Sequence, residues 1–365
     1  MKLLYITNGI NGAGGLERVL SVKASYLAEH YDYDVTILSL NGNDQHPFYS
    51  FSPKIKMISI PVFGNPLRYV RSYKKGIQEM VSSISPNVIS VCDDGLKGFF
   101  IPMLVASNIP IVYERHVSKE IEMNDDFTFI KKALIQVKWR LMEKLASRFA
   151  AFVLLTAGNK KEWLNLNNTL VIPNPLSFYP SASSSLATKK IIAVGKQGYQ
   201  KGYDRLLTSW KLVAAQHSDW HLEIYGTIAP EFKLQEQAIS LGIVNTVHFY
   251  PPEKDIVSKY LDASVYVMSS RFEGFGMVLI EAMACGVPCV SFDCNYGPSD
   301  IIATGEDGYV VPNGDCVALA DCIITLLDDV TLRTTMGKRA KENVQRFLPA
   351  TVVKEWDVLF KSLIK

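Results

Sequence analysis

The chain has 365 residues, of which 48% are hydrophobic and 20% are charged, and its formal net charge is +2 at pH 7. A chain of this length holds about two domains at roughly 100–200 residues each, and it can bury a substantial core. The nearly balanced charge disfavours a dedicated nucleic-acid-binding protein, which normally carries a larger basic excess.

Neither the first residues nor the longest apolar run has the properties of a targeting or membrane-spanning segment. The opening MKLLYITNGI is short and is broken by Asn8 and Gly9, unlike a secretory leader. The run GFFIPMLVASNIPIVY contains two prolines and an asparagine and is too short to cross a bilayer. The sequence therefore predicts a cytoplasmic protein and leaves open an association with the inner face of the membrane.

The first half of the chain alternates short apolar runs with helical patterns. The runs LLYIT, DVTILSL, KIKMISI, NVISV, IPIVY and AAFVLLT have the length and the branched or aromatic residues of strands. Between Ile130 and Phe149, apolar residues at three-and-four spacing predict a helix. This alternation predicts a parallel sheet covered by helices on both faces.

A glycine-rich loop, NGINGAGGLERVL, follows the first predicted strand. Gly14 and Gly15 let the backbone approach a ligand closely, and a helix that starts near Gly15 points free N–H groups there. The loop does not match the dinucleotide motif GxGxxG, because Glu17 stands where the third glycine would be. A tight strand-to-helix turn without a ligand is the alternative.

Two other features of the first half carry charge. The segment LRYVRSYKKGIQEMV, residues 67–81, is basic and amphipathic; a solvated helix face is favoured, and contact with anionic lipid is the alternative. Arg115 and His116 follow the predicted strand IPIVY. His116 is placed either to meet a ligand or to cap a loop.

Residues 173–188, rich in proline and serine, are typical of an interdomain linker. Beyond them, KKIIAVG, HLEIYG, TVHFY, ASVYVMS and VPCVSF are predicted strands. Residues 189–345 are therefore assigned to a second α/β domain, after a first domain of residues 1–172. The final residues, 346–365, are predicted to be helical.

The loop VGKQGYQKGYDRLL follows the first strand of the second half and runs into a helix. Lys196 and Lys201 place two ammonium groups beside the start of that helix, which is an arrangement that can hold a diphosphate. The loop is not a Walker A motif, since no Gly-Lys-Ser/Thr sequence closes it. Two solvated surface lysines are the alternative.

The segment RFEGFGMVLIEAMACGVP places Glu281 in an almost wholly apolar stretch, eight positions after Glu273. A buried carboxylate is costly unless something binds it. A helix that begins near Met277 offers free N–H groups to an anion, and Glu281, about one turn further on, can accept hydrogen bonds from a diol such as ribose. A buried salt bridge to Glu281 is the alternative.

Six cysteines are present, three of them close together at Cys285, Cys289 and Cys294. Their spacing lacks the CxxC pairs of zinc and iron–sulfur sites. We therefore predict buried thiols and no metal site.

Taken together, these segments resemble the retaining glycosyltransferases of family 4. The signature lies in EGFGMVLIEAMACGVP, and the likeness extends in the family's order through GGLERVL, VGKQGYQKG, YGPSDII and EDGYVVPNGD. The resemblance implies the GT-B fold, an α/β architecture of two Rossmann-like, doubly wound parallel-sheet domains facing a central cleft. It places the acceptor on the first domain and the nucleotide sugar on the second, with the final helix crossing back to the first domain.

The resemblance also implies roles for individual residues. Lys196 and Lys201 match the basic pair on the diphosphate, although the family usually has arginine in place of Lys196. Glu281 matches the carboxylate that holds the ribose, and Glu273 the one that contacts the donor sugar. His116 matches a histidine near the reacting face of the sugar, with valine where aspartate usually follows. The implied catalytic residues are His116, Lys196, Lys201 and Glu273, and the implied donor-binding residues are Gly14, Gly15, Gly195, Lys196, Lys201, Gly226, Tyr250, Pro251, Glu273, Gly274, Phe275, Gly276, Met277, Val278 and Glu281.

The activity implied by the resemblance is a retaining, metal-independent transfer of a hexose or N-acetylhexosamine. The donor would be a nucleotide sugar, with UDP as the expected nucleotide, and the acceptor a hydroxyl of a glycan or lipid-linked glycan in surface polysaccharide synthesis. No cofactor is expected. The alternatives are a nucleotide-sugar epimerase of the same fold and a non-catalytic nucleotide-sugar-binding protein; the sequence does not specify the sugar, the acceptor or the oligomeric state.

Overall fold

The structure, a computed structural model, describes residues 1–12, 14–42, 46–105, 108–122 and 127–364. It divides into two compact units. The first comprises Met1–Ser177 together with Pro349–Lys365, and the second comprises Phe178–Leu348. The segment predicted as a linker, residues 173–188, thus spans the boundary at Ser177.

The first unit contains a seven-stranded parallel sheet. Its strands are β1 (Lys2–Thr7), β2 (Asp34–Leu40), β3 (Lys56–Ile60), β4 (Val88–Cys92), β5 (Ile111–Glu114), β6 (Ala151–Leu154) and β7 (Thr169–Val171). They lie in the order β3-β2-β1-β4-β5-β6-β7. The six predicted strands are confirmed, and the three-residue β7 was not predicted.

Helices cover both faces of this sheet. The first four helices are α1 (Gly15–His30), α2 (Pro66–Ile84), α3 (Ile101–Leu104) and α4 (Phe129–Ala146). The buried residues of α2, α3 and α4 share one core cluster with one face of the sheet, while α1 packs on the opposite face. These two apolar layers provide the burial that stabilises the unit.

The second unit contains a six-stranded parallel sheet. Its strands are β8 (Lys190–Val194), β9 (His221–Tyr225), β10 (Val247–Tyr250), β11 (Val265–Met268), β12 (Cys289–Asp293) and β13 (Gly308–Pro312), in the order β10-β9-β8-β11-β12-β13. Its helices are α5 (Tyr203–Gln216), α6 (Leu234–Ser240), α7 (Ile256–Leu261), α8 (Met277–Ala284), α9 (Pro298–Ile301), α10 (Cys316–Asp328) and α11 (Val330–Asn343). The five predicted strands are confirmed, and β13 was not predicted.

The last helix, α12 (Pro349–Leu363), is part of the first unit. Val352, Val353 and Phe360 join the core cluster that α1 forms with the sheet. The Tyr33 hydroxyl donates a hydrogen bond of 2.7 Å to Asp357 on this helix. The C-terminal residues therefore complete the hydrophobic cover of the first unit.

Helix α4 has the predicted periodicity but an unexpected orientation. Ile130, Leu134, Val137 and Leu141 are exposed, and only Leu145 of the predicted apolar stripe is buried. The helix instead packs through its C-terminal end, where Met142 and Ala146 join the core. A three-and-four pattern identifies an apolar face, but it does not determine that this face meets the core.

The three clustered cysteines are buried free thiols, as predicted. Burial raises the pKa of Cys289 well above its ordinary value, which keeps the thiol protonated and unreactive at neutral pH. Within the described ranges, no helix combines the length and the apolar composition needed to cross a membrane.

Candidate functional site

The site in the second unit lies where the strand order of the sheet reverses. The chain proceeds outward from β8 to β9 and β10, then returns to place β11 on the other side of β8. In doubly wound sheets, ligands bind at the carboxyl ends of the strands at this switch point. Residues 195–202 follow β8 and residues 269–276 follow β11, so both predicted loops lie at this position.

Glu273 makes several side-chain contacts within these loops. Its Oε1 accepts hydrogen bonds of 2.7 Å from Lys201 Nζ and from Ser270 Oγ, and Gln200 Nε2 lies 3.4 Å from Oε2. The side chain is mostly buried. Lys201 and Glu273, which are 72 positions apart in the chain, thus form an ion pair at the switch point.

The two lysines of the first loop have different surroundings. Lys201 is paired with Glu273, whereas Lys196 is exposed and has no ion-pair partner among the residues that the structure describes. A buried or paired ammonium is held in one geometry, while an exposed one keeps its rotamer freedom. Lys201 is therefore preorganised, and Lys196 remains available to an anion.

Arg271 holds the two loops together. It makes two hydrogen bonds to Asp204, of 2.9 and 2.7 Å, and a third of 2.8 Å to the carbonyl of Tyr199. Burial opposes ionisation of Asp204, but the guanidinium outweighs that effect and lowers the pKa of this carboxyl. This planar, two-pronged pairing fixes the start of α5 against the loop after β11.

Helix α8 begins at the predicted position. Gly276 precedes it with a φ of 104° and provides no side-chain cap, so the first N–H groups of the helix have no partner within it. The Phe275 side chain is buried and packs edge-on against Phe347, with ring centroids 5.5 Å apart. Of residues 274–278, Phe275 thus contributes its ring to the core, while Gly274, Gly276, Met277 and Val278 offer backbone groups.

The EGFG loop is also held by the segment after β12. Glu273 N donates to Asn295 O at 2.7 Å, and Tyr296 N donates to Glu273 O at 3.0 Å. Gly297 adopts a φ of 128°, and a Cβ placed there would lie 1.8 Å from the carbonyl oxygen of Phe275. Only glycine fits this close approach of two backbones.

Replacing Gly297 by alanine is therefore expected to displace the EGFG loop. We expect Gly297→Ala to lose donor binding and to lower the melting temperature. The control is Gly305→Ala, since Gly305 has a φ of 84° but no atom within 4 Å of an added Cβ, and it should show only the small cost of backbone strain. Thermal unfolding with and without UDP measures both effects, and equal behaviour of the two variants would contradict the close packing at Gly297.

Glu281 lies on α8 and is almost fully buried. The hydroxyl of Tyr260 lies 3.4 Å from its Oε2. The structure thus places Glu281 on the same short helix whose N-terminus adjoins Glu273, about one turn from the free N–H groups.

The remaining predicted residues of this unit lie at the ends of β8, β9 and β10. Gly226 N donates to Tyr250 O at 3.0 Å, and a Cβ on Gly226 would meet the carbonyl oxygen of Gly195 at 2.0 Å. The ring of Tyr250 stacks on Tyr225 with centroids 4.8 Å apart. Pro251 follows as an exposed residue, so this edge offers an aromatic surface but no N–H from Pro251.

In the first unit the strand order reverses between β1 and β4. The loop with Gly14 and Gly15 follows β1, and the side chain of Asn8 in it donates to Asp93 after β4 at 2.7 Å. Gly14 caps α1 in an extended conformation without a side-chain hydrogen bond. This loop therefore has the predicted position and leaves the first N–H groups of α1 without partners in the helix.

His116 follows β5, the next strand of this sheet. Its backbone N donates to Asp94 Oδ1 at 3.1 Å, and its Nε2 lies 3.3 Å from Glu114 Oε2. Glu114 is fully buried, accepts a hydrogen bond of 2.5 Å from Ser90 Oγ, and pairs with the buried Lys23 of α1. The family resemblance implies an aspartate directly after this histidine, where Val117 stands; the carboxylate that lies beside His116 in the structure is that of Glu114.

The ion pair between Lys23 and Glu114 determines the charge state of the residues around His116. Burial opposes ionisation of Glu114, but the ammonium of Lys23 and the nearby His116 outweigh it and lower the pKa of Glu114 to about 2. Cys92, Glu114 and His116 bring their ligand atoms within 4.8 Å of one another. Because Lys23 already neutralises Glu114, this grouping favours a hydrogen-bonded network over a cation site.

Comparison with known proteins shows to which family the chain is related. Residues 181–343 match the family described as glycosyl transferases group 1. A protein of Haemophilus influenzae described as an uncharacterized glycosyltransferase is 28% identical, over 97% of this chain and 98% of its own length. The amylovoran biosynthesis glycosyltransferase AmsD of Erwinia amylovora is 30% identical, over 98% of both chains.

A solved structure of similar fold allows the fold of the chain to be assigned. The solved structure of Anabaena HepE in complex with UDP and glucose matches with a TM-score of 0.78 at 18% identity, covering 99% of this chain and 100% of that one. Together with the two doubly wound sheets, this likeness confirms the GT-B fold class. On its full-length similarity to AmsD, the chain belongs to the group 1 glycosyltransferases.

Proposed function

We propose that the chain is a retaining, metal-independent glycosyltransferase of family 4 that uses a UDP-linked hexose or N-acetylhexosamine. The observation that carries the proposal is the ion pair between Lys201 and Glu273 at the switch point of the second sheet, beside the N-terminus of α8. This arrangement offers a cation and free backbone N–H groups to a diphosphate, and a carboxylate to the adjoining sugar.

The diphosphate leaves with growing negative charge when the anomeric bond breaks. Lys196, Lys201 and the N-terminus of α8 would stabilise that charge, which is the task of metal ions in other transferases. Lys201 is held in place before the donor binds, so little reorganisation accompanies the reaction. Lys196 is exposed and would order on the phosphates when they arrive.

Glu273 would orient the donor sugar. Its Oε1 is occupied by Lys201 and Ser270, while Oε2 has only the long contact to Gln200 at 3.4 Å among the hydrogen bonds of the described residues. We assign Oε2 to a sugar hydroxyl and assign no covalent step to Glu273. Retention would then follow from attack of the acceptor hydroxyl on the face from which the diphosphate departs.

The nucleoside would occupy the residues on either side of these loops. We assign the ribose hydroxyls to Glu281 and the base to the segment of Tyr250 and Pro251. The roles of Gly14, Gly15 and His116 in the first unit remain those that the family resemblance implies: the two glycines on the diphosphate and the histidine at the sugar.

The names of similar proteins support the proposed donor and acceptor. HepE is solved with UDP and glucose, which favours UDP as the nucleotide. AmsD acts in amylovoran biosynthesis, which favours a glycan or lipid-linked glycan acceptor in polysaccharide synthesis. We place the reaction on the cytoplasmic side of the membrane, where nucleotide sugars are made.

Release of UDP with and without acceptor tests this function. We expect purified protein to release UDP from one member of a panel of UDP-, GDP- and ADP-sugars only when a glycan acceptor is added, and to retain activity in EDTA. Interconversion of sugars without an acceptor would indicate an epimerase. Binding without any turnover across donors and acceptors would indicate a non-catalytic binding protein, and loss of activity in EDTA would contradict metal independence.

A further inference from the structure

Helix α4 presents a continuous apolar stripe to solvent. We define the α4 face as Phe129, Ile130, Leu134, Val137 and Leu141, whose exposed fractions are 85%, 72%, 65%, 60% and 39%. At 100° per residue, the last four lie within a narrow sector of the helix. Isolated exposed apolar residues are common, but a contiguous stripe of this length indicates an interaction surface.

The orientation of this stripe is fixed by the contacts of the opposite side. Met142, Leu145 and Ala146 are buried in the core of the first unit. Glu122 accepts hydrogen bonds from Lys138 at 2.6 Å and from the Trp139 indole at 3.3 Å. The helix is therefore held with the α4 face outward, and exposure of the stripe is a property of the folded unit.

Cations border the stripe on both sides. By helical geometry Lys131 lies on one flank, and Arg140 and Lys144 on the other; all three are exposed. The one carboxylate on α4, Glu143, is paired with Lys119 at 2.7 Å. An apolar stripe with cations on both flanks matches the boundary between anionic headgroups and acyl chains.

A second basic helix lies on the same side of the sheet. Helix α2 shares the core cluster that α4 joins, and its exposed residues include Leu67, Val70, Arg68, Arg71 and Lys74. Helix α2, which contains the predicted basic amphipathic segment, thus exposes a second basic surface, and the α4 face has the larger apolar surface.

We propose that the α4 face is the surface through which the protein binds anionic membrane lipid. A symmetric contact with a second copy would bring Lys131, Arg140 and Lys144 of both copies together, and like charges oppose such a contact. The inference deepens the proposed function and rests on it for its biological role, because a membrane-bound enzyme meets a lipid-linked acceptor in the same plane.

Vesicle co-sedimentation without donor or acceptor tests this surface independently of catalysis. We expect the protein to bind vesicles of phosphatidylglycerol and phosphatidylcholine, to bind pure phosphatidylcholine weakly, and to dissociate as salt is raised. The triple variant Ile130→Gln, Leu134→Gln, Val137→Gln should bind the anionic vesicles at least about tenfold more weakly. Replacing Arg140 by glutamine should weaken binding by roughly fivefold.

The matched control replaces exposed apolar residues of the second unit. Ile239, Val317 and Val330 are 60%, 58% and 59% exposed, and their triple glutamine variant should bind vesicles like the unaltered protein. Circular dichroism verifies that both triple variants are folded. The proposal is overturned if the unaltered protein ignores anionic vesicles, if both triple variants bind equally, or if the α4 substitutions abolish only self-association in sedimentation velocity. A vesicle-binding protein without transferase activity would overturn the proposed function and leave this surface intact.

Discussion

Replacing Glu273 by glutamine is expected to lower turnover by about 100- to 1,000-fold while leaving the affinity for UDP unchanged or tighter. The amide keeps the size of the side chain but removes the charge that pairs with Lys201. UDP lacks the transferred sugar that Glu273 is assigned to orient, and the released ammonium of Lys201 can turn fully to the diphosphate. Steady-state kinetics with the donor, and calorimetric titration with UDP, measure the two effects separately.

Two further variants make this result specific. Glu281→Ala should weaken UDP binding sharply, because we assign Glu281 to the ribose rather than to the sugar. Glu342→Gln removes an exposed carboxylate of α11 and should change neither quantity. Equal losses of UDP affinity in Glu273→Gln and Glu281→Ala would contradict the division of roles between the two glutamates.

The largest effect on stability is expected at the buried pair of the first unit. Lys23→Met leaves Glu114 charged and without its main partner, which is expected to lower the free energy of unfolding by about 3–5 kcal/mol. Methionine is close to lysine in length, but it lacks the cation that lies over the ring of Trp356, with Lys23 Nζ 3.9 Å from the ring centroid. The double variant Lys23→Met, Glu114→Gln should recover part of the loss. Urea denaturation measures all three proteins.

The exposed pair of Lys56 and Asp34, with an N–O distance of 2.8 Å, provides the control. Lys56→Met should cost no more than about 1 kcal/mol, because exposed ion pairs contribute little. If Lys23→Met has an equally small effect, Glu114 is not held by Lys23 in solution.

The same pair predicts how stability depends on pH. The lowered pKa of Glu114, about 2 in the folded protein, means that the carboxylate contributes stability above its unfolded pKa of about 4.3, and that this contribution is lost as pH falls through about 2. In Lys23→Met, Glu114 remains buried without the ammonium, which should raise its pKa in the folded protein above its pKa in the unfolded chain. Glu114 would then favour folding most at acidic pH, where it is protonated. The difference between the two proteins should therefore shrink from pH 7 to pH 4.

Local sequence patterns predicted most strands of the two sheets, because eleven strands are apolar runs of ordinary length. The strands β7 and β13 escaped prediction for different reasons. Thr169–Val171 has three residues, too few for a pattern, and Gly308–Pro312 is bounded by residues that usually mark turns. Residues 178–188 have the composition of a linker, yet Leu186 is buried and its carbonyl accepts hydrogen bonds from Arg333.

Some features of the candidate site could be predicted from the local sequence, and others depend on contacts between distant parts of the chain. The positions at which α1 and α8 begin could be predicted from the glycines that precede them. The pairing of Lys201 with Glu273 depends on β8 lying beside β11, which no local pattern reveals. Lys23 did carry a signal that went unused: it lies one turn from Val19 and Leu27 on the buried face of α1, where a charge requires a partner.

The most direct test of the central claim is a crystal structure with UDP. The account predicts the diphosphate at the carboxyl ends of β8 and β11, with phosphate oxygens about 3 Å from Lys201 Nζ and from the backbone N–H groups at Met277 and Val278. A diphosphate bound elsewhere on the second unit, with Lys201 still paired only to Glu273, would contradict it.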